Sequence, residues 1–145
     1  MLAFGRWIVT FHFISYQLLE TGTVKILLVD DDEDVLAAVS LGLETRGFQV
    51  DAFGDPLEAL KHFKKGTYEI ALLDIRMPKM NGFQLYREIL KRDGSVKVRF
   101  FTAFEEFREE FRKAFPELDE RRFIKKPTTL ERLVQILLGE LKVRQ

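Results

Sequence analysis

A doubly wound α/β sandwich is the fold this sequence predicts, and three observations carry it. Five short apolar runs alternate with five longer segments of helical period between Lys25 and Leu141. Two of those runs, at 26–29 and 70–73, are continuously aliphatic, as strands buried on both faces of a parallel sheet are. Glycine or proline closes the first four helical segments. At 145 residues the chain has room for one core and hardly for two. A strand–helix alternation joined by right-handed crossovers covers both sheet faces with helices.

The elements follow in order. Strand β1 is expected at 26–29 and helix α1 at 33–46, where Leu36, Val39 and Leu43 share a face and Gly47 ends the run. Strand β2 is expected at 49–53. Helix α2 opens at Asp55-Pro56-Leu57-Glu58, with Asp capping, Pro in the first turn and Glu reaching back as in a capping box, and runs to about Lys65 before Gly66. Strand β3 at 70–73 is followed by helix α3 at 82–92, closed by Asp93-Gly94. Strand β4 at 96–101 alternates Lys97 and Arg99 with apolar residues, which predicts thinner cover on one side. Helix α4 at 104–115 stops at Pro116, β5 spans 123–125, and α5 starts at the Thr128-Thr129-Leu130-Glu131 cap and runs to about Leu141. On α4, Phe104, Phe107, Phe111 and Phe115 form a stripe roughly 80° wide, read as core, with a partner-binding aromatic face as the alternative.

Composition narrows the chemistry. There is no cysteine, so disulfides, thiolate metal sites and cysteine nucleophiles are excluded. Lys+Arg and Asp+Glu number 23 each, which excludes the strongly basic field of a general nucleic-acid binder. The balance conceals an asymmetry: residues 25–76 carry net −5 and residues 77–145 net +5. Acidic groups gathered in the first half suggest a cation site.

Residues 1–23 stand apart, apolar and aromatic, with Arg6 and Glu20 as their charges. The stretch is too short and too interrupted by polar residues for a membrane span of about 20 apolar residues, and it lacks a small-residue cleavage site. Three readings stand open: an interfacial or partner-binding helix, an element added to the core, or a non-native extension with translation beginning at Val24.

In open α/β sheets ligands bind beyond the carboxyl ends of the strands. There the chain places Asp30 and Asp31 after β1, Asp74 after β3, Thr102 and Ala103 after β4, and Lys126 and Pro127 after β5. Carboxylates from two strands would meet one hydroxyl and one ammonium. Clustered carboxylates repel unless a cation joins them, and Mg²⁺ prefers a few carboxylates with phosphate oxygens and water. A carboxylate can also act as nucleophile, Lys can supply a point charge for phosphoryl oxygens, and Thr a hydrogen bond. Asp32, Glu33 and Asp34 read as first-turn residues favoured by the helix dipole. A calcium loop from Asp30 fails, because Val35 and Leu41 stand where Gly and Glu are needed. His12 and His62 have no ligand-like companions.

Val29-Asp30-Asp31, Leu73-Asp74-Ile75-Arg76-Met77-Pro78 with Asn81-Gly82, Thr102-Ala103, and Lys125-Lys126-Pro127 together resemble the receiver domain of two-component response regulators over about Lys25–Leu141. The resemblance implies a flavodoxin-like (βα)5 fold with strand order 2-1-3-4-5 and a receiver domain at 24–145. It implies Asp74 as phosphoacceptor and Mg²⁺ as cofactor, held by Asp30, Asp31, Asp74 and the Arg76 backbone carbonyl. Thr102 and Lys126 would contact the phosphoryl group, and Phe123 with Thr102 would form the conformational switch. The implied partners are a sensor histidine kinase or histidine phosphotransfer protein and a downstream protein target, in the cytoplasm, without direct nucleic-acid binding. Signalling, and a homodimer, would use the α4–β5–α5 face. With few residues after α5, a stand-alone receiver is expected; the alternative is an interaction module that works without phosphorylation. Such a receiver catalyses its own transfer and hydrolysis and turns over no external substrate.

Two departures flank the site. Arg76 and Phe104 stand two residues beyond Asp74 and Thr102, where bulk would screen a phosphoryl group from water, so a long-lived phosphoform is expected. The same Arg76 replaces the acid/base Asp of aspartyl-phosphate hydrolases, which argues against a small-molecule phosphatase. Phe115-Pro116-Glu117-Leu118-Asp119-Glu120 replaces the small residues common before β5, which changes the signalling face.

Overall fold

The computed structural model describes residues 23–103, 107–117 and 119–142, and over them five strands pair in parallel in the order β2-β1-β3-β4-β5. The strands are Lys25–Val29, Gln49–Phe53, Ile70–Leu73, Lys97–Thr102 and Phe123–Lys125. The helices are Glu33–Glu44, Pro56–His62, Gly82–Arg92, Phe107–Ala114 and Leu130–Lys142, α1 to α5 in that order. The predicted doubly wound, three-layer architecture is the observed one.

Alternation along the central strands divides the core in two. Leu27, Val29, Ala71 and Leu73 pack with Ala59 of α2, Phe83 and Ile89 of α3, and Phe115. Ile26, Leu28, Ile70 and Leu72 pack with Leu43 of α1 and Leu133, Val134 and Leu137 of α5. Each Val, Leu, Ile or Phe among them contributes about 1.5–3 kcal/mol by leaving water. Both β1 and β3 are covered on two faces, which explains their unbroken aliphatic runs. Edge strand β2 is half-exposed, and its sequence is accordingly mixed.

The caps explain most boundaries. Asp32 Oδ1 accepts from the amides of Asp34 (2.9 Å) and Val35 (3.3 Å), so it caps α1, with Glu33 and Asp34 in the first turn. Helix α1 ends at Glu44, two residues before the expected limit, and Gly47 follows at φ 92°. Asp55 caps α2 through the Leu57 amide at 2.8 Å. The expected return bond from Glu58 gives way to a side-chain pairing along the helix, Oε2 to His62 Nδ1 at 3.8 Å. Helix α2 stops at His62 because Phe63 turns extended (ψ 129°) and packs against the core. A capping box forms instead at Asn81 and Gln84, at the head of α3. Thr129 Oγ1 accepts from the Arg132 amide at 3.2 Å and so caps α5, while Glu131 reaches Arg46.

On β4, Lys97 and Arg99 are less covered than Val98 and Phe100, as expected. Phe115 is buried between Phe83, Tyr86 and the Arg87 guanidinium, which makes it core. Phe104 and the side chains of Phe107 and Phe111 lie outside the described residues, as do residues 1–22. A short 3-10 turn, Glu120–Arg122, leads into β5, with Asp119 as its cap and Arg112 paired to Glu120.

Candidate functional site

Parallel ladder bonds bring the strand ends together. The Asp74 amide donates to the Val29 carbonyl at 2.9 Å and the Lys126 amide to the Thr102 carbonyl at 2.9 Å. These two bonds set Asp74 beside the end of β1 and Lys126 beside the end of β4. Asp30, 1% exposed, and Asp74, 8% exposed, are buried, as is Thr102, whereas Asp31 faces solvent. Asp30, Asp31 and Asp74 each offer an oxygen, and those oxygens lie within 4.8 Å of one another.

Each buried carboxylate has one oxygen tied to backbone and the other near Lys126. Asp30 Oδ1 accepts from the Asp32 amide at 2.9 Å, and Asp74 Oδ1 from the Ile75 amide at 2.8 Å. Lys126 Nζ pairs directly with Asp30 Oδ2 and lies 3.6 Å from Asp74 Oδ2. Burial pushes the Asp74 carboxyl up to about 6; Lys126 and the Ile75 amide oppose this, while the Asp30 and Asp31 carboxylates reinforce it. Three carboxylates against one ammonium leave local negative charge, the donor set a small hard cation takes.

The structure thus gathers Asp30, Asp31, Asp74, Thr102 and Lys126 from four strand ends. Asp32, Glu33 and Asp34 stand apart as helix-opening residues. Arg76 is exposed, and Phe123 is half-buried with its ring against Phe100, centroids 5.6 Å apart. His62 stacks on Phe53 and takes no part.

Three further features escape a linear reading. Lys79, in the loop after β3, adopts φ 71° and pairs with Asp55 at 2.5 Å, tying that loop to the head of α2. A Cβ on Gly82 would lie 2.3 Å from the Asp74 carbonyl oxygen, so only glycine lets α3 start this close to the loop after β3. Phe101 lies beneath the Lys126 ammonium. Asn81-Gly82 entered the sequence reading only as part of the family resemblance, and nothing local pointed to the other two.

Comparison with known proteins gives the family and the fold. Residues 26–138 match the response regulator receiver domain family, and the chain belongs to it. It is 40% identical over 79 residues to the transcriptional regulatory protein CpxR homolog of Haemophilus influenzae, covering 54% of this chain and 34% of that protein. It is 31% identical over 113 residues to the regulatory protein VanRB of Enterococcus faecalis, covering 78% and 50%. The chain therefore spans half or less of the length of these curated relatives. Among solved structures, a CheY-like receiver from Methanospirillum hungatei superposes with TM-score 0.74 at 25% identity, over 83% of this chain and 95% of that one. The response regulator TrrA of Thermotoga maritima, solved with Mg²⁺ and beryllium fluoride, superposes with TM-score 0.67 at 25% identity, covering 81% and 99%. Among the described residues no helix is long and apolar enough to cross a membrane.

Proposed function

We propose that this receiver accepts a phosphoryl group on Asp74 from the phosphohistidine of a sensor kinase or phosphotransfer protein. The observation that carries the reading is the placement of Lys126 3.6 Å from Asp74 Oδ2, within a cluster of three carboxylates. An Asp74 oxygen bonds to phosphorus as the phosphorus–nitrogen bond of the donor breaks, and the electron pair leaves with the imidazole. Lys126 leaves Asp30 for the new phosphoryl oxygens, and the Thr102 hydroxyl donates to them. Asp30, Asp31, Asp74 and the Arg76 carbonyl are the groups to hold Mg²⁺, which would offset their repulsion and the charge of the transferred oxygens.

Phosphorylation then shifts an existing equilibrium on the α4–β5–α5 face, with Phe123 turning inward as Thr102 moves. The half-buried Phe123, resting on the edge of the core rather than within it, supports that motion. A protein target or a second copy of the chain reads that face, in the cytoplasm. The receiver module occupies 24–145 and turns over no external substrate. Arg76, exposed two residues from Asp74, supports a phosphoform with a lifetime well beyond seconds.

Intact mass after incubation with acetyl phosphate tests the reading. A gain of one phosphoryl group that needs Mg²⁺ and is lost in Asp74→Asn is the expected result. No gain, from acetyl phosphate or a kinase, together with no Mg²⁺ binding would replace it with a phosphorylation-independent interaction module.

A further inference from the structure

The Lys126 ammonium has a third neighbour besides the two carboxylates. Its Nζ lies over the ring of Phe101, 5.1 Å from the centroid. Phe101 is 5% exposed, directly precedes Thr102 in β4, and pairs in register with Ile124 of β5, the strand that delivers Lys126. The lysine side chain is itself only 16% exposed. An aromatic face attracts a cation within about 6 Å of its centroid, and more strongly where water is excluded. Leucine, isoleucine or valine would satisfy the apolar demand of this strand position and offer no such face.

We propose that Phe101 is a positioning residue whose ring face holds the Lys126 ammonium between Asp30 and Asp74. The inference rests on Asp74 being the phosphoacceptor. In the resting protein Lys126 is paired with Asp30, and phosphoryl transfer requires it to turn toward Asp74. A pairing to Asp30 alone would oppose that turn. The ring attracts the ammonium whichever carboxylate it faces, so the cation stays at hand while it changes partner. With acetyl phosphate as donor, an Asp74 oxygen bonds to phosphorus, the phosphorus–oxygen bond to the acetyl group breaks, and acetate leaves with the electron pair. Lys126 keeps its proton throughout.

Stepwise fluorination of the Phe101 ring weakens its negative face while nearly preserving its shape. The full chain carrying mono-, di- or trifluorinated phenylalanine at 101 is incubated with acetyl phosphate at saturating Mg²⁺. The rate of phosphoryl gain is read by intact mass, and Tm is recorded alongside. The expected result is a graded fall in rate, reaching roughly 2- to 10-fold at the most fluorinated ring, with Tm constant. Phe101→Leu should lie at or below the foot of that series. A flat series overturns the proposal, as does a fall that tracks a loss of Tm, which would make the ring mere packing. Wild-type protein that accepts no phosphoryl group from acetyl phosphate or a kinase would sink the acceptor reading and this inference with it. A phosphorylated wild type with a flat series sinks this inference alone.

Discussion

Arg99 of β4 and Glu140 of α5 form an ion pair, Nε to Oε1 at 2.5 Å, with the carboxylate only 8% exposed. Arg122, next to Phe123, lies 3.8 Å from the same oxygen and donates to the Val98 carbonyl at 3.1 Å. A half-covered strand side is thereby closed by a charge cluster rather than by apolar packing. Removing one member of a buried pair strands the other charge. Glu140→Ala should therefore cost about 3–5 kcal/mol in urea unfolding, and Glu140→Leu with Arg99→Leu should recover most of it. A Glu140→Ala cost near zero would mean the cluster is solvated.

Gly82→Ala tests the close approach of α3 to the Asp74–Ile75 backbone. The atoms an added Cβ would meet are backbone, the Asp74 carbonyl and Ile75 Cα, and they cannot swing aside as a side chain would. The Gly82 amide also donates to the Ile75 carbonyl at 2.8 Å. Destabilisation of about 3 kcal/mol or more is expected, with slower phosphoryl acceptance because Asp74 is displaced. Unfolding curves and intact-mass kinetics measure both; wild-type stability would refute the contact.

Asp74→Asn should stabilise the metal-free protein at neutral pH. The folded carboxyl lies at about 6 against an ordinary 3.8, so above pH 6 the native state carries a burial penalty that the unfolded chain does not. Asparagine removes it, with a gain of up to about 3 kcal/mol at pH 7.5 that fades as pH falls toward 4. Mg²⁺ should raise the Tm of wild type more than that of the variant. Melting scans across pH, with and without Mg²⁺, decide it.

Acid sensitivity should come in part from Asp93. Bonds from the Ser95 hydroxyl, the Gly66 amide and the Ser95 amide hold this buried carboxyl below the usual carboxylate range. A depressed folded pKa gives stability that is complete above the unfolded pKa and is lost as pH falls through the folded one. Wild type should exceed Asp93→Ala by about 1–3 kcal/mol at pH 7, and the gap should narrow below pH 4. A gap independent of pH would place the contribution in shape rather than charge.

Much of the fold was legible because burial patterns and caps act between near neighbours. The aliphatic runs of β1 and β3, the Asp32 and Asp55 caps and the glycines after α1 and α2 all appear where local chemistry puts them. The misplacements have local causes too. Phe63 leaves α2 early to fill the core, and Glu58 turns to His62 instead of the helix start. The site residues were legible because each lies at or just beyond the carboxyl end of a strand, and a parallel sheet gathers those ends on one side. The Lys79–Asp55 tie and the Phe101 ring were not, since each depends on which side of a loop or strand a side chain faces.

By itself, then, the sequence determined the order of elements, the strand ends and the acidic and basic groups beyond them, because periodicity and capping are properties of short segments. Only the tertiary structure decided partnership across the chain. Lys126 meets Asp30 from 96 residues away, and Arg99 meets Glu140 from 41. Strand register and the seat of α5 on the sheet set those distances, and both come from packing the two apolar layers as a whole.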